Sequence, residues 1–363
     1  MTGIYIHIPF CKSKCPYCDF YSFKSDETQK DSYLKAVLRC LKENKSQIKT
    51  PVDTVYFGGG TPSFFGGERI KAVINCIKEN YNLVSPEITV ECNPSSVSDE
   101  FFKVISEAGV NRISMGMQSA VNSERKILGR LSDREETEKA IAFAKKHSID
   151  NISLDIMLGV PNQTMESLDK SIDFLLSSGI KHISAYMLKI EEGTPFYKMQ
   201  NTLTLPDEDT VCEMYLHTVK RLSENGFVQY EISNFSKEGF ESRHNLHYWR
   251  TEEYLGIGPS AHSFLNGKRF YFERDFNLFL TAPTIIYDGD GGSEEEFIML
   301  SLRLSEGFSK EKFKARFGKY PDGEIFRKAE IFEKKRLLKI TDDCISLTPE
   351  GFLLSNTIIG NLL

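Results

Sequence analysis

The sequence has no apolar stretch near the roughly 20 residues that span a bilayer, and its net charge of −6 shows no basic excess. The first basic side chain is Lys12, which follows the apolar run at 4–10 instead of preceding it. A secretory leader is therefore not expected, and the run reads as a first buried strand. Basic clusters such as Lys334–Arg336 read as a solvated helix face. Nucleic acid is not an expected partner. These absences lead to the expectation of a cytoplasmic protein without a membrane span. Internal repeats and low-complexity tracts are also missing, and there is one tryptophan. The 363 residues suffice for one large domain plus a smaller one.

Eight cysteines in a chain of this class do not suggest disulfides. Cys40, Cys76, Cys92, Cys212 and Cys344 are scattered singly and read as small packing hydrophobes. Cys11, Cys15 and Cys18 form C-x3-C-x2-C. Three thiolates on one short loop suit three corners of an iron–sulfur cubane. A missing fourth ligand leaves one iron open to a small molecule, as a catalytic metal site requires. Structural zinc wants a second ligand pair, and none follows at finger-like spacing. On spacing alone, zinc or a chance trio stays open as an alternative.

Over the first two thirds, short β-like runs alternate with amphipathic helical stretches. Strands are expected at Ile4–Ile8, Thr54–Phe57, Ile88–Glu91, Arg112–Met117, Ile152–Met157 and His182–Leu188. Helices are expected near 27–48, 68–80, 98–107, 133–147 and 165–178, with N-terminal caps at Ser98 and Ser132. Gly109 and Gly179 fall where a left-handed helix end suits glycine. Such repetition implies right-handed crossovers and a parallel sheet; periodicity does not choose between an open sheet and part of a barrel. Glu91, Gln118, Asp155 and the glycines after Phe57 lie at C-terminal strand ends, the edge where parallel α/β folds bind ligands. A helix near 207–225 then leads into an aromatic and histidine-rich stretch. Beyond a Gly/Asp-rich turn at Asp288–Gly292, a hairpin and helices suggest a small winged-helix-like module. The expected domains are 1–200, 201–285 and 286–363.

Through C-x3-C-x-aromatic-C directly after a first strand, and Gly58-Gly-Gly-Thr61-Pro62 after the second, the sequence resembles the radical S-adenosylmethionine superfamily. Glycines let backbone approach a ligand and expose N–H groups, and no Gly-Lys-Ser/Thr follows to make a phosphate loop. A further ordered series resembles one branch of that superfamily: Tyr5-Ile-His-Ile-Pro-Phe-Cys11, Glu91-Cys-Asn-Pro94, Ser114-Met-Gly-Met-Gln118, Leu128-Gly-Arg130 and Asp155-Ile-Met-Leu-Gly-Val-Pro161. That branch contains the oxygen-independent coproporphyrinogen oxidases (HemN) and the heme chaperones (HemW) of porphyrin metabolism.

The resemblance implies an α/β fold, a partial (β/α)6 TIM-type barrel with a smaller C-terminal α+β domain. It implies a [4Fe–4S] cluster on Cys11, Cys15 and Cys18 that cleaves S-adenosylmethionine to a 5′-deoxyadenosyl radical. Tyr5 and Tyr17 are then expected near that cofactor, Gly59, Gly60 and Thr61 at its methionyl part, and Glu91, Gln118, Arg130 and Asp155 around the rest. Three features favour the chaperones over the oxidases. Phe20 stands where the oxidases have a fourth cysteine, only ten residues precede Cys11, and His244-Asn-Leu-His-Tyr248-Trp249 fits the chaperones' H-N-x-x-Y-W motif. The resemblance thus implies heme bound by His244 and passed to heme-accepting proteins, with an electron donor for the cluster. Imidazole is a good axial ligand, and Tyr248 and Trp249 suit a flat porphyrin. The alternatives are radical decarboxylation of coproporphyrinogen III, radical chemistry on another substrate with the histidine motif merely structural, a zinc site made by His244, His247 and His262, or histidines hydrogen-bonded in support of the cofactor pocket. No C-x-x-C-H heme attachment motif is present.

Overall fold

The computed structural model describes residues 1–130 and 132–363. Six parallel strands alternate with helices: β1 (Thr2–Ile8), β2 (Val52–Gly59), β3 (Leu83–Cys92), β4 (Arg112–Gln118), β5 (Asn151–Leu158) and β6 (His182–Met187), paired in that order. The intervening helices are Glu27–Asn44, Gly67–Asn80, Asp99–Glu107, Arg134–Lys146 and Met165–Ser177. Expected and observed elements agree to within a few residues, because the strands carry short apolar alternation and each helix carries a period near 3.6. The cap expected at Ser132 falls one residue later. Asp133 accepts from the Glu136 amide, while the Glu136 side chain accepts from the Asp133 amide.

Alternation along the strands divides the sheet into two faces. Ile4, Ile6, Val55, Phe57, Ile88, Val90, Ile113, Met115, Ile152, Leu154 and Ile183 are buried in the core under the helices. The intervening positions are polar, among them Thr54, Thr89, Arg112, Ser114, Ser153, His182 and Ser184, all buried on the inner, concave face. An inner face of this kind is an interior lined for chemistry, and it makes the six strands a partial barrel.

The chain after residue 200 extends the same sheet at both edges. Beside β6 lie β8 (Asn234–Ser236) and β7 (Val228–Gln229), both antiparallel. Beside β1, β9 (Tyr254–Ile257) pairs in parallel, followed antiparallel by β10 (His262–Leu265), β11 (Lys268–Phe272) and β12 (Ile285–Asp290). Asp288 and Asp290, expected in a turn, therefore belong to the last strand of the main sheet. A separate three-stranded sheet, β13 (Phe308–Ser309), β15 (Cys344–Leu347) and β14 (Leu338–Ile340), packs with helices to form a smaller C-terminal module. No helix among the described residues is long and apolar enough to cross a membrane.

Candidate functional site: a thiol-lined cleft at the C-terminal strand ends

β1 runs directly into the cysteine loop. The Phe10 ring is buried against Phe23, Tyr33 and Phe65, which anchors the loop's start. The Cys11 amide donates to Phe23 O and the Cys18 amide to Cys15 O. Lys14 Nζ closes the loop on Phe20 O at 2.8 Å. Cys11 is buried, Cys15 and Cys18 half-buried, and all three face a cleft of about 340 Å³. Burial raises the thiol pKa of Cys11 and of Cys18, so cationic metal is what would hold them as thiolates.

The same cleft is lined by Tyr17, Gly59, Gly60, Thr61, Glu91, Gln118, Arg130 and Asp155. Nearly the whole expected cofactor set thus converges from β2, β3, β4, β5 and the segment after Ile127. Tyr5 is the exception. It lies on the inner face of β1 but borders a second cleft, with its hydroxyl 3.0 Å from His7 Nδ1.

Burial raises the Glu91 pKa to about 7, and the Asp155 charge adds to that against the hydrogen bond from Tyr56, at 2.8 Å. Burial raises Asp155 as well, opposed by Ser184, Arg112 and Ser114. Gln118 has a left-handed φ of 69° and sits at a register shift where β4 gains a residue against β5. Such a bulge at a barrel rim re-aims a side chain. Gly116 makes room for it, since a Cβ there would lie 2.6 Å from Gln118 Nε2. Arg130 bonds Gly116 O, reaches Cys15 Sγ at 3.7 Å, and leaves its buried Nε without a partner among the described residues.

The glycine loop departs from expectation in its chemistry. The Gly60 amide donates to Ile8 O at 2.8 Å and the Thr61 amide to Phe10 O at 2.7 Å. These N–H groups tie the loop to β1 and are not free for a ligand; the loop offers space instead. A Cβ at Gly60 would lie 2.6 Å from Phe10 O and 2.9 Å from Ile8 O, both immovable backbone. Gly60→Ala is therefore expected to cost about 1–3 kcal/mol of stability, read as a lower urea midpoint. An unchanged midpoint would remove this account of the turn.

Asn93 and Ser114 stand within the quoted motifs but carry no expected role, and Arg112 and Tyr186 carry none either, yet Ser114, Asn93 and Tyr186 line the cleft and Arg112 lies buried inside the barrel. Their signal was alternation: Ser114 and Gly116, or Ser184 and Tyr186, share one face of a strand. Cys92 also borders the cleft, but its thiol is turned to Val90 O and burial pushes it far from ionisation.

The histidine motif occupies the helix Arg243–Trp249, whose first amides donate to the Glu87 carboxylate. His244 projects into the barrel floor, 1% exposed. Its Nδ1 lies 2.8 Å from Thr54 Oγ1 and its Nε2 2.8 Å from the Tyr248 hydroxyl. Burial lowers its pKa to about 3. His247 points the other way, between Asp53 and Glu252 at 2.9 and 2.8 Å. Burial opposes its charge, but those carboxylates raise its pKa to about 9. His262 is on β10, and among the described residues no three His, Cys, Asp or Glu side chains converge on one ion. The zinc alternative from His244, His247 and His262 is therefore not formed. Trp249 lines neither cleft; Arg303 sits over its ring at 5.9 Å.

The donor set fits the cofactors. Three thiols of one loop, a buried guanidinium nitrogen without a partner among the described residues, two half-buried carboxyls and a glycine turn surround one space, while the Cys92 sulfur on its border is turned to Val90 O. Residues 5–175 match the family model of the Radical SAM superfamily, and residues 295–354 that of the HemN C-terminal domain. The chain is 34% identical to the heme chaperone HemW of Bacillus subtilis (strain 168), over 100% of this chain and 99% of that one. It is likewise 34% identical to HemW of Lactococcus lactis, over 100% and 97%. Among solved structures, coproporphyrinogen III oxidase (HemN) of Escherichia coli superposes with a TM-score of 0.84 over 99% of this chain and 89% of that one, at 18% identity, which shows a shared fold. With full-length kinship at this identity and the cysteine cleft in place, the chain belongs to the HemW family of radical S-adenosylmethionine proteins.

Proposed function

We propose that this protein binds heme and delivers it to heme-requiring proteins, holding a [4Fe–4S] cluster on Cys11, Cys15 and Cys18 with S-adenosylmethionine beside it. The observation that carries the reading is kinship with heme chaperones along the whole chain. When bound, the open iron of the cluster supplies a chelating site and an electron for the sulfonium of S-adenosylmethionine. The protein's own residues position and enclose. Arg130 Nε is placed to donate to a carboxylate, Glu91 and Asp155 to meet hydroxyl or ammonium groups, and the glycine turn to admit the ligand closely. A protein that supplies electrons to the cluster is a further proposed partner.

His244 is the heme ligand proposed from the sequence motif. Its Nε2 is occupied by Tyr248, so iron reaches it only when that hydroxyl leaves. The experiment is an anaerobic hemin titration of cluster-replete protein beside a coproporphyrinogen III decarboxylation assay. Saturable, stoichiometric binding without decarboxylation is the expected result. Decarboxylation without saturable hemin binding would replace this reading with the oxidase.

A further inference from the structure

The second cleft, about 380 Å³, opens on the concave face where β1 meets β9 and β10. Its walls include Phe20, Tyr21, Tyr248, Tyr254, His262 and Arg274. Phe20 is 66% exposed and borders the thiol-lined cleft too, so the two spaces share a wall. Tyr248 and Tyr254 meet edge to face at 4.5 Å, a rigid aromatic back wall. Behind it stands His244, bonded to Tyr248.

The histidines sort themselves by availability. Of the seven, His7, His147, His182, His217, His244 and His247 each engage ring nitrogens in hydrogen bonds or ion pairs. His262 alone makes none among the described residues. It is exposed, its ring stacked on Tyr271 at 4.8 Å and 26°, which fixes the ring plane and leaves the nitrogens open. Arg274, also exposed, lies over the Tyr21 ring at 5.5 Å, and its one side-chain hydrogen bond among the described residues goes to Asp19 O. Asp19 lines the same cleft, and Glu273 and Asp275 flank Arg274 in the chain, but none of the three forms an ion pair with it among the described residues.

An aromatic cleft with one free imidazole and one guanidinium without a carboxylate partner matches a flat conjugated macrocycle carrying carboxylates and a metal with an open axial position. We infer that this cleft is the heme-binding surface, with His262 as the axial ligand available without rearrangement and Arg274 receiving a propionate. The inference rests on the heme-chaperone reading and goes beyond it, since the family motif points to His244 and not to β10. A cleft open on one side also suits a carrier, because the exposed edge of the macrocycle can be handed on.

The test compares wild type, His262→Ala, His244→Ala and Arg274→Gln as full-length, cluster-reconstituted proteins. Each is titrated anaerobically with hemin and with metal-free protoporphyrin IX, followed by absorbance. His262→Ala is expected to weaken hemin binding about tenfold or more and to shift its Soret band, while binding of the metal-free ring and cluster content stay unchanged. Added imidazole should restore the band, which a structural role would not allow. Arg274→Gln should weaken both ligands. Hemin curves and spectra identical in His262→Ala and wild type, with loss in His244→Ala, would overturn the inference and leave the chaperone reading standing. Absence of hemin binding by wild type would overturn both.

Discussion

Replacing Cys15 with serine is expected to abolish the cluster while leaving the fold intact. Cys15 is half-buried on a loop at the cleft mouth, and its sulfur makes only weak polar contacts, with Arg130 at 3.7 Å and with the Tyr17 hydroxyl. The native packing therefore loses little, and stability should change by no more than about 0.5 kcal/mol. The proposed cluster, in contrast, would draw on three loop thiolates with no spare among them. Cys92 borders the same cleft but turns its sulfur to Val90 O, so it does not replace a lost ligand. Iron and sulfide content after anaerobic reconstitution, with the visible cluster absorbance, reads the outcome. Cys11→Ser and Cys18→Ser should behave alike, whereas Cys212→Ser should retain a full cluster. Full retention in Cys15→Ser, or loss in Cys92→Ser without unfolding, would put the cluster on a different ligand set.

The second large effect is expected at Arg112, which is 2% exposed at the start of β4. Burial opposes its charge, yet Glu87 above all, then Tyr56, Tyr230 and Asp155, keep its pKa above the ordinary value. Its Nε has no partner among the described residues. The guanidinium thus stabilises the inner face by field more than by individual bonds. Glu87 at the same time caps the helix that carries His244. Arg112→Met leaves the buried Glu87 without this cation and Asp155 with Arg130 as its remaining one, and removing one partner of a buried charge set typically costs about 3–5 kcal/mol. Urea unfolding should show that loss, with Arg112→Lys recovering part of it. A loss below about 1 kcal/mol would mean that the acids are neutral in the folded state and the arginine is dispensable.

Local patterns were legible because they are written in neighbouring residues. The strand around Ile4–Ile8, the helix after Asp26 and the glycine turn at 58–60 each follow from periodicity and from single-residue preferences acting over a few positions. The cysteine loop was legible for the same reason: covalent spacing alone places three sulfurs around one space. Most of the cofactor cleft followed, since Glu91, Gln118 and Asp155 stand at strand ends that a parallel sheet must bring to one edge.

What escaped the sequence depends on partners far away in the chain. Tyr5 sits on the expected strand, but the pairing of β1 with β9 gives it a second cleft to border. The amides of Gly60 and Thr61 read as free in the sequence, but the fold bonds them to Ile8 O and Phe10 O. Ser114 and Tyr186 read as ordinary strand residues, because a polar side chain alternating with apolar ones looks the same facing solvent or an interior.

The sequence by itself therefore determined the secondary structure, the parallel sheet and the loop that gathers three cysteines, all consequences of short-range pattern and backbone geometry. Only the tertiary structure decided which histidine has an open nitrogen. His244 is enclosed by Thr54 and Tyr248, from a distant strand and from the next helical turn, whereas His262 on β10 stacks on Tyr271 and its ring nitrogens make no hydrogen bond among the described residues. Imidazole is the same group in both places, and its availability is set by the neighbours that folding brings to it.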